Sequence, residues 1–112
     1  VRQYSADSSK ITIVSNTEEK SFIQQPVDPS IYSAFHDKFI VTYSGNIGPH
    51  RGVDTGIEAM AYLKDEPNII FIIVGSGSKS VMNHLFQLSK NKQVEDKVFF
   101  LGRQPFEKFY SY

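Results

Sequence analysis

The sequence contains no cysteine, which excludes a disulfide framework and any metal site built on thiolates. Its 12 basic and 12 acidic side chains cancel, whereas a protein built mainly to bind nucleic acid usually carries a basic excess. The three histidines, His36, His50 and His84, lie far apart in the sequence and do not have the spacing of metal ligands. We therefore expect neither a nucleic acid partner nor a metal.

Long apolar stretches are also missing. No apolar run reaches the roughly 18 residues that a transmembrane helix needs, and the polar start of the chain does not resemble a signal peptide. These absences favour a cytoplasmic protein. The 112 residues suffice for one modest domain. Because the chain lacks an initiator Met and stops at "FEKFYSY", we expect it to be a fragment of a longer protein.

Apolar runs typical of strands alternate with amphipathic stretches typical of helices. Two prolines in residues 24–38 argue against a long helix there and indicate a linker. Thr55 and Glu58 have the spacing of a capping box, with Asp54 as a competing cap, and Pro105 suits the first turn of a final helix. The predicted strands are residues 11–14, 39–44, 69–74 and 98–101, and the main predicted helices are 55–65 and 79–91.

This alternation predicts βαβ units with right-handed crossovers and a parallel sheet. The fold class is therefore α/β: a Rossmann-like domain of three layers, α/β/α, over residues 39–112, preceded by a strand and a linker in residues 1–38. Ligands bind such sheets at the carboxyl ends of the strands. The loops 45–52, 75–79 and 102–104 all follow strand ends, so we expect them on one rim.

The stretch "GSGSKS", residues 75–80, nearly fits two phosphate-binding motifs. As a dinucleotide fingerprint it lacks the third glycine, which Ser80 replaces, and no acidic residue ends the next strand. As a P-loop it has Ser78 where a glycine should precede Lys79, and no glycine stands five positions before Ser78. The simpler interpretation is that Gly75 and Gly77 only allow a tight turn. An anion near the helix N-terminus would nevertheless be favoured, with Lys79 adding charge.

The loop "SGNIGPHRG", residues 44–52, places Arg51 directly before a predicted helix. An arginine can bind a phosphate through two parallel hydrogen bonds. A lone arginine is more often a solvated surface side chain. Because Arg51 lies beside the glycines of a ligand-binding rim, the sequence favours a phosphate ligand and a solvated side chain about equally.

The segments "FIVTYSGNIGPHRGVDTGIEAMAYL", "IIFIIVGSGS" and "VFFLG" resemble, in order and spacing, the donor-binding C-terminal half of a GT-B glycosyltransferase, most of all glycosyltransferase family 4. The resemblance runs from about Ile11 to Tyr112. It implies that the glycine loops surround a nucleotide-sugar donor, with a basic pair at the diphosphate and the end of the third strand at the nucleobase. The residues that it places in this site are Gly45, Asn46, Arg51, Gly52, Gly75, Ser76, Gly77, Gly102 and Arg103.

The sequence departs from the family pattern at several positions. Asn46 stands where the family has a basic residue, Ser76 where aspartate is common, and Thr17 where "PNGVD" has glycine. The family's two glutamates, with seven residues between them, would lie beyond Tyr112. Glu58 and Glu66 share that spacing, but both lie in one early amphipathic stretch, residues 53–67, with Glu66 next to the Pro67 that stops it, so no catalytic residue is expected in this fragment.

The resemblance implies an intact enzyme that transfers a sugar from a nucleotide-sugar to an acceptor hydroxyl, with a leaning toward retention. It requires no metal or other cofactor beyond the nucleoside diphosphate sugar. A missing N-terminal domain would bind the acceptor, so the fragment alone should be inactive, and peripheral membrane association of the intact protein stays open. The alternatives are a non-catalytic nucleotide- or phosphate-binding module, which Asn46 favours slightly, and a protein-docking domain, for which Ile47 and Pro49 offer too little apolar loop surface.

Overall fold

The computed structural model describes residues 8–10, 12–17, 20–24 and 26–111. Strands and helices alternate from residue 39 onward, as predicted. The strands are β1, Phe39–Ser44, β2, Ile69–Val74, and β3, Val98–Gly102. The α-helices are α1, Lys20–Ile23, α2, Pro29–Phe35, α3, Val53–Tyr62, and α4, Lys79–Asn91, and 3-10 helices cover Ser8–Lys10 and Phe106–Ser111.

The strands of the described residues form one parallel sheet in the order β1-β2-β3. Phe39 pairs with Ile69 at the start of β1 and β2, and Ser44 pairs with Val74 at their ends. The β2–β3 register shifts after Ile73, so that Val74 pairs with Gly102. The predicted parallel sheet is confirmed, and with it the prediction that the three strands end on one side.

Side chains that alternate along β2 enter two separate cores, because successive residues of a strand point to opposite faces. Phe71 and Ile73 pack with Ile57 of α3 and Leu85 of α4 on one face. Ile70, Ile72 and Val74 form the core of the other face, where Phe35 of α2 packs against them. The continuous apolar run of β2 is thereby explained, since both of its faces are covered. The three layers of the predicted fold class are present.

The predicted strand at residues 11–14 is wrong for residues 12–14, and Ile11 lies outside the described residues. Ile13 and Val14 are 87% and 89% exposed. A β-branched run becomes a strand only when a neighbouring strand takes up its backbone hydrogen bonds. Residues 12–14 are not part of any described sheet, so their strand propensity is not expressed.

The predicted linker contains the seven-residue helix α2, which is short, as the two prolines require. Asp28 caps it by accepting hydrogen bonds from the N–H of Ser30 at 2.9 Å and from its hydroxyl at 2.6 Å. Pro29 occupies the first turn, where its missing N–H has no cost. Lys108 reaches the same carboxylate at 2.9 Å, which ties α2 to the C-terminal 3-10 helix.

The capping box predicted at Thr55 and Glu58 is wrong, because α3 begins two residues earlier, at Val53. Its N-cap is Gly52, which has a φ of 72° and provides no side-chain cap. The Asp54 carboxylate accepts from the N–H of Thr55 at 2.9 Å instead. Helix α4 has the predicted bounds and begins with Ser78, whose hydroxyl accepts from the N–H of Val81 at 3.3 Å. Within the described residues, no helix has the length and apolarity required to cross a bilayer.

Candidate functional site

A glycine ends or directly follows each strand, at the edge where the ligand site is predicted. Gly45, Gly75 and Gly102 have φ values of 144°, 141° and 65°, which L side chains rarely adopt. The N–H of Gly45 donates to Val74 at 2.9 Å, and the N–H of Gly75 donates to Gly102 at 2.8 Å. These hydrogen bonds align the three strand ends and fix where the first loop (residues 45–52), the second loop (75–78) and the third loop (103–105) begin.

The first and second loops cross so closely that side chains are excluded between them. A Cβ atom on Gly75 would lie 1.8 Å from the Gly45 carbonyl oxygen, and one on Gly77 would lie 2.3 Å from the Ile47 carbonyl oxygen. The N–H of Ile47 donates to the Ser76 carbonyl at 3.0 Å, and its side chain is only 3% exposed. The glycines that resembled a phosphate motif therefore have a packing role as well.

An open cleft of about 470 Å³ lies above the strand ends. Five of the predicted site residues line it, and Val74 and Gln104 complete the wall. Arg103 is the one cation among the described residues that line this cleft. Residues from all three loops thus meet in one place, as the topology predicts. The predicted residues in the wall are Gly45, Asn46, Gly75, Ser76 and Arg103.

The other predicted site residues lie outside this wall. Arg51 is exposed, and its N–H donates to the Gly48 carbonyl at 3.2 Å within the first loop. Gly52 is the N-cap of α3, Gly77 lies against Ile47, and Gly102 contributes its carbonyl to the sheet. Of the two arginines that the sequence offers as donor-binding candidates, Arg103 lines this cleft and Arg51 does not.

Two side chains close to the strand ends donate to main-chain carbonyls, one in the first loop and one in β3, and sequence reasoning missed both. The Tyr43 hydroxyl donates to the Asn46 carbonyl at 2.7 Å. The Gln104 side-chain amide donates to the Leu101 carbonyl, also at 2.7 Å. Each acceptor is a main-chain carbonyl, which every residue carries, so the sequence gives no signal of either contact.

The electrostatic character of the rim differs between its loops. The first and second loops lead into α3 and α4, helices of 10 and 13 residues, whose N-termini carry partial positive charge. A six-residue 3-10 helix follows the third loop. An anion is therefore favoured on the side of the first two loops. Among the described residues, no group of three or more His, Cys, Asp or Glu side chains is placed to hold a metal ion.

A second cleft, of about 330 Å³, opens between the N-terminal ends of α3 and α4. Apolar side chains form much of its wall, and Asp54, Ser80 and His84 add polar groups. The sequence gave no indication of this cleft. Its lining residues are Gly48, Pro49, Val53, Asp54, Ser80, Val81, His84 and Leu85.

Residues 24–112 match the family described as Glycosyl transferases group 1. The match begins within the segment predicted to be a linker and covers the whole sheet. A protein of Escherichia coli (strain K12), named as a colanic acid biosynthesis glycosyl transferase, WcaI, is 39% identical over 64 residues. That alignment covers 57% of this chain and 15% of WcaI.

Crystal structures of a protein from Anabaena, Alr3699/HepE, share the fold. The structure in complex with UDP and glucose has a TM-score of 0.63 and 22% sequence identity. The structure in complex with UDP-glucose has a TM-score of 0.61 and 23% identity. In each comparison 76% of this chain and 25% of the Anabaena chain are covered. The chain thus spans about a quarter of that protein's length, and the predicted Rossmann-like fold class is confirmed.

Proposed function

The chain belongs to the glycosyl transferases group 1 family, and from this membership we propose that it is the donor-binding part of a nucleotide-sugar glycosyltransferase. The intact enzyme would transfer a sugar from a nucleoside diphosphate to an acceptor hydroxyl. The observation that carries the proposal is the cleft at the three strand ends, where residues of all three loops meet beside Arg103. Such a cleft is where open parallel sheets bind nucleotides. The assignment to family 4, the cytoplasmic location and the domain boundary at residue 39 stay predictions.

The donor diphosphate would lie over the first and second loops. The helices that follow these loops, α3 and α4, carry partial positive charge at the N-terminal ends that join the loops. Gly45 and Gly75 would allow the phosphates to approach the backbone closely, since neither has a side chain in the way. Asn46 would donate an amide hydrogen bond where the family pattern has a cation, so the site would neutralise less charge.

The nucleobase would lie toward the third loop, beside Arg103. A guanidinium group can stack on a flat ring and also donate hydrogen bonds in its plane. The Anabaena protein of similar fold was crystallised with UDP and with UDP-glucose, which makes a UDP-sugar the first donor to test.

The contribution of this chain to the reaction would be electrostatic. Departure of the sugar leaves negative charge on the nucleoside diphosphate, and preorganised N–H groups and cations lower the energy of that charge. The cleft supplies the backbone of the first two loops for this charge, and Arg103 adds a cation beside the nucleobase. We propose no catalytic residue and no metal or other cofactor in this chain, and we expect it to be inactive without the rest of the enzyme.

Nucleotide binding by the 112-residue chain tests the proposal without requiring activity. UDP, GDP and ADP are titrated calorimetrically into the wild type, into Ser76→Trp and into Asn91→Trp. Ser76 is exposed and lines the cleft, so the indole should block it and abolish binding. Asn91 is exposed at the opposite end of α4, and its variant should bind like the wild type. A folded wild type that binds none of the three nucleotides would refute the proposal.

A non-catalytic nucleotide-binding module is the second candidate. Asn46 in place of a cation and the exposed position of Arg51 outside the cleft favour it, because both reduce the positive charge available to a leaving diphosphate. Both candidates predict nucleotide binding by this chain. They differ in the full-length protein, where only the enzyme would release nucleoside diphosphate from a nucleotide-sugar in the presence of an acceptor.

A further inference from the structure

Tyr43 connects the core of the domain to the wall of the cleft. Its ring packs against the core cluster that α3, α4 and the sheet share. Its hydroxyl donates a 2.7 Å hydrogen bond to the carbonyl of Asn46, three residues along the chain. Because the half-buried ring packs against the core, the hydroxyl anchors the first loop to the body of the domain.

The peptide unit between Asn46 and Ile47 is held on both sides. Its carbonyl accepts from the Tyr43 hydroxyl, and its N–H donates to the Ser76 carbonyl at 3.0 Å. The carbonyl and N–H of a trans peptide point in opposite directions from a rigid plane. Hydrogen bonds at both ends therefore fix the rotation of this plane. The same constraint sets the direction in which the Asn46 side chain leaves the backbone.

We propose that Tyr43 is a positioning residue for the diphosphate of the donor, an inference that rests on the proposed function. Asn46 lines the cleft. Its side chain is an uncharged amide at the position where the family pattern has a cation, and a cation would attract phosphate over a wider range of distances and angles. An amide contributes to phosphate binding only over a narrow range of distance and angle. Because the Asn46 backbone is already fixed before the donor binds, binding does not have to order it, and less conformational entropy is lost.

A purely structural role for Tyr43 is separable from this one. Phenylalanine keeps the packing of the ring and removes only the hydroxyl, so Tyr43→Phe tests the hydrogen bond alone. Tyr62 is 91% exposed at the C-terminal end of α3, at the opposite edge of the sheet. Tyr62→Phe is therefore the matched control for the same chemical change.

The first experiment compares UDP with uridine. UDP is titrated calorimetrically, and uridine by NMR shift changes, into the wild type and both variants. We expect Tyr43→Phe to weaken UDP binding about three- to tenfold, the range of one net hydrogen bond, and to leave uridine binding unchanged. Tyr62→Phe should change neither. Equal UDP affinities in the wild type and Tyr43→Phe would overturn the inference, as would equal losses for UDP and uridine, which indicate general loosening.

A second measurement needs no ligand. Amide hydrogen exchange at Ile47 should be about three- to tenfold faster in Tyr43→Phe than in the wild type, because the peptide loses one of its two anchors. The Gly75 amide, which donates to Gly102, should exchange at an unchanged rate. Unchanged exchange at Ile47 would overturn the inference while leaving the proposed function intact. A wild type that binds no UDP would instead overturn the proposed function, and this inference with it.

Discussion

The α-carbon of Gly75 faces the carbonyl oxygen of Gly45 so closely that an added Cβ atom would lie 1.8 Å from that oxygen. That oxygen belongs to the backbone directly after β1, so it cannot rotate away as a side chain would. Gly75 also has a φ of 141°, which adds strain for any L side chain. The crossing of the two loops, which forms the floor of the cleft, therefore depends on glycine at this position.

Gly75→Ala should lower the free energy of unfolding by about 2 kcal/mol or more, since it combines a backbone clash with a disfavoured φ. Gly48→Ala is the control. A Cβ atom there would meet the Arg51 side chain at an ordinary 3.8 Å, and the change should cost less than about 0.5 kcal/mol. Urea denaturation followed by circular dichroism measures both. Equal stabilities of the two variants would show that the loops do not cross as described.

Arg103→Ala should weaken UDP binding more than Arg51→Ala. Arg103 lines the cleft, whereas Arg51 is exposed outside its wall. A hydrogen bond to a charged group contributes about 1.5–3 kcal/mol, and solvent at this open site favours the low end, so about tenfold in affinity is expected for Arg103. Calorimetric titration measures both losses. The reverse order would support the family-based assignment of Arg51 to the diphosphate.

The stability of the domain should fall in acid through Asp28. Hydrogen bonds from the Ser30 hydroxyl, then the Lys108 ammonium and the Ser30 N–H, lower the pKa of Asp28 from 3.8 to about 2. A carboxylate with a depressed pKa in the folded state stabilises the protein above its unfolded pKa. That contribution is therefore fully present above about pH 4 and is lost as the pH falls through 2.

Asp28→Asn should remove the stabilisation that the Asp28 carboxylate provides. The melting temperature of the variant should be lower than that of the wild type at neutral pH, and the difference between the two should narrow toward pH 2. Asp37→Asn is the control, because the Asp37 carboxylate is exposed and lies 4.0 Å from Lys38. Melting temperatures between pH 2 and 7 measure the effect. A constant gap between the wild type and Asp28→Asn across this range would contradict the assignment.

The central strands and α4 could be predicted from the sequence because burial requires a recognisable pattern of apolar residues in them. β2 is apolar at each position and is covered on both faces, and α4 has an apolar stripe and a serine cap. The predicted strand at residues 12–14 was wrong because a high strand propensity does not provide a neighbouring strand to pair with. The predicted start of α3 was wrong because Gly52, which has a positive φ, is the N-cap, and the helix therefore begins before the capping-box pattern of Thr55 and Glu58.

The position of the cleft was predictable, but its chemistry was predictable only in part. Parallel strands end at the same edge, so Gly45 and Gly75 had to meet there. The direction of Arg51 depends on the conformation of the six residues between Gly45 and Gly52, which their composition does not determine. The hydrogen bonds of Tyr43 and Gln104 end on main-chain carbonyls, and such contacts leave no pattern in a sequence.

We propose that the cleft at the strand ends binds a nucleoside diphosphate. Titration of UDP into the ¹⁵N-labelled chain, followed by amide chemical shifts, tests it most directly. We expect the largest shifts at Gly45, Asn46 and Ser76 and little change at Val81 and His84 of the second cleft. Largest shifts at Val81 and His84, or no saturable shift in a folded chain, would contradict it.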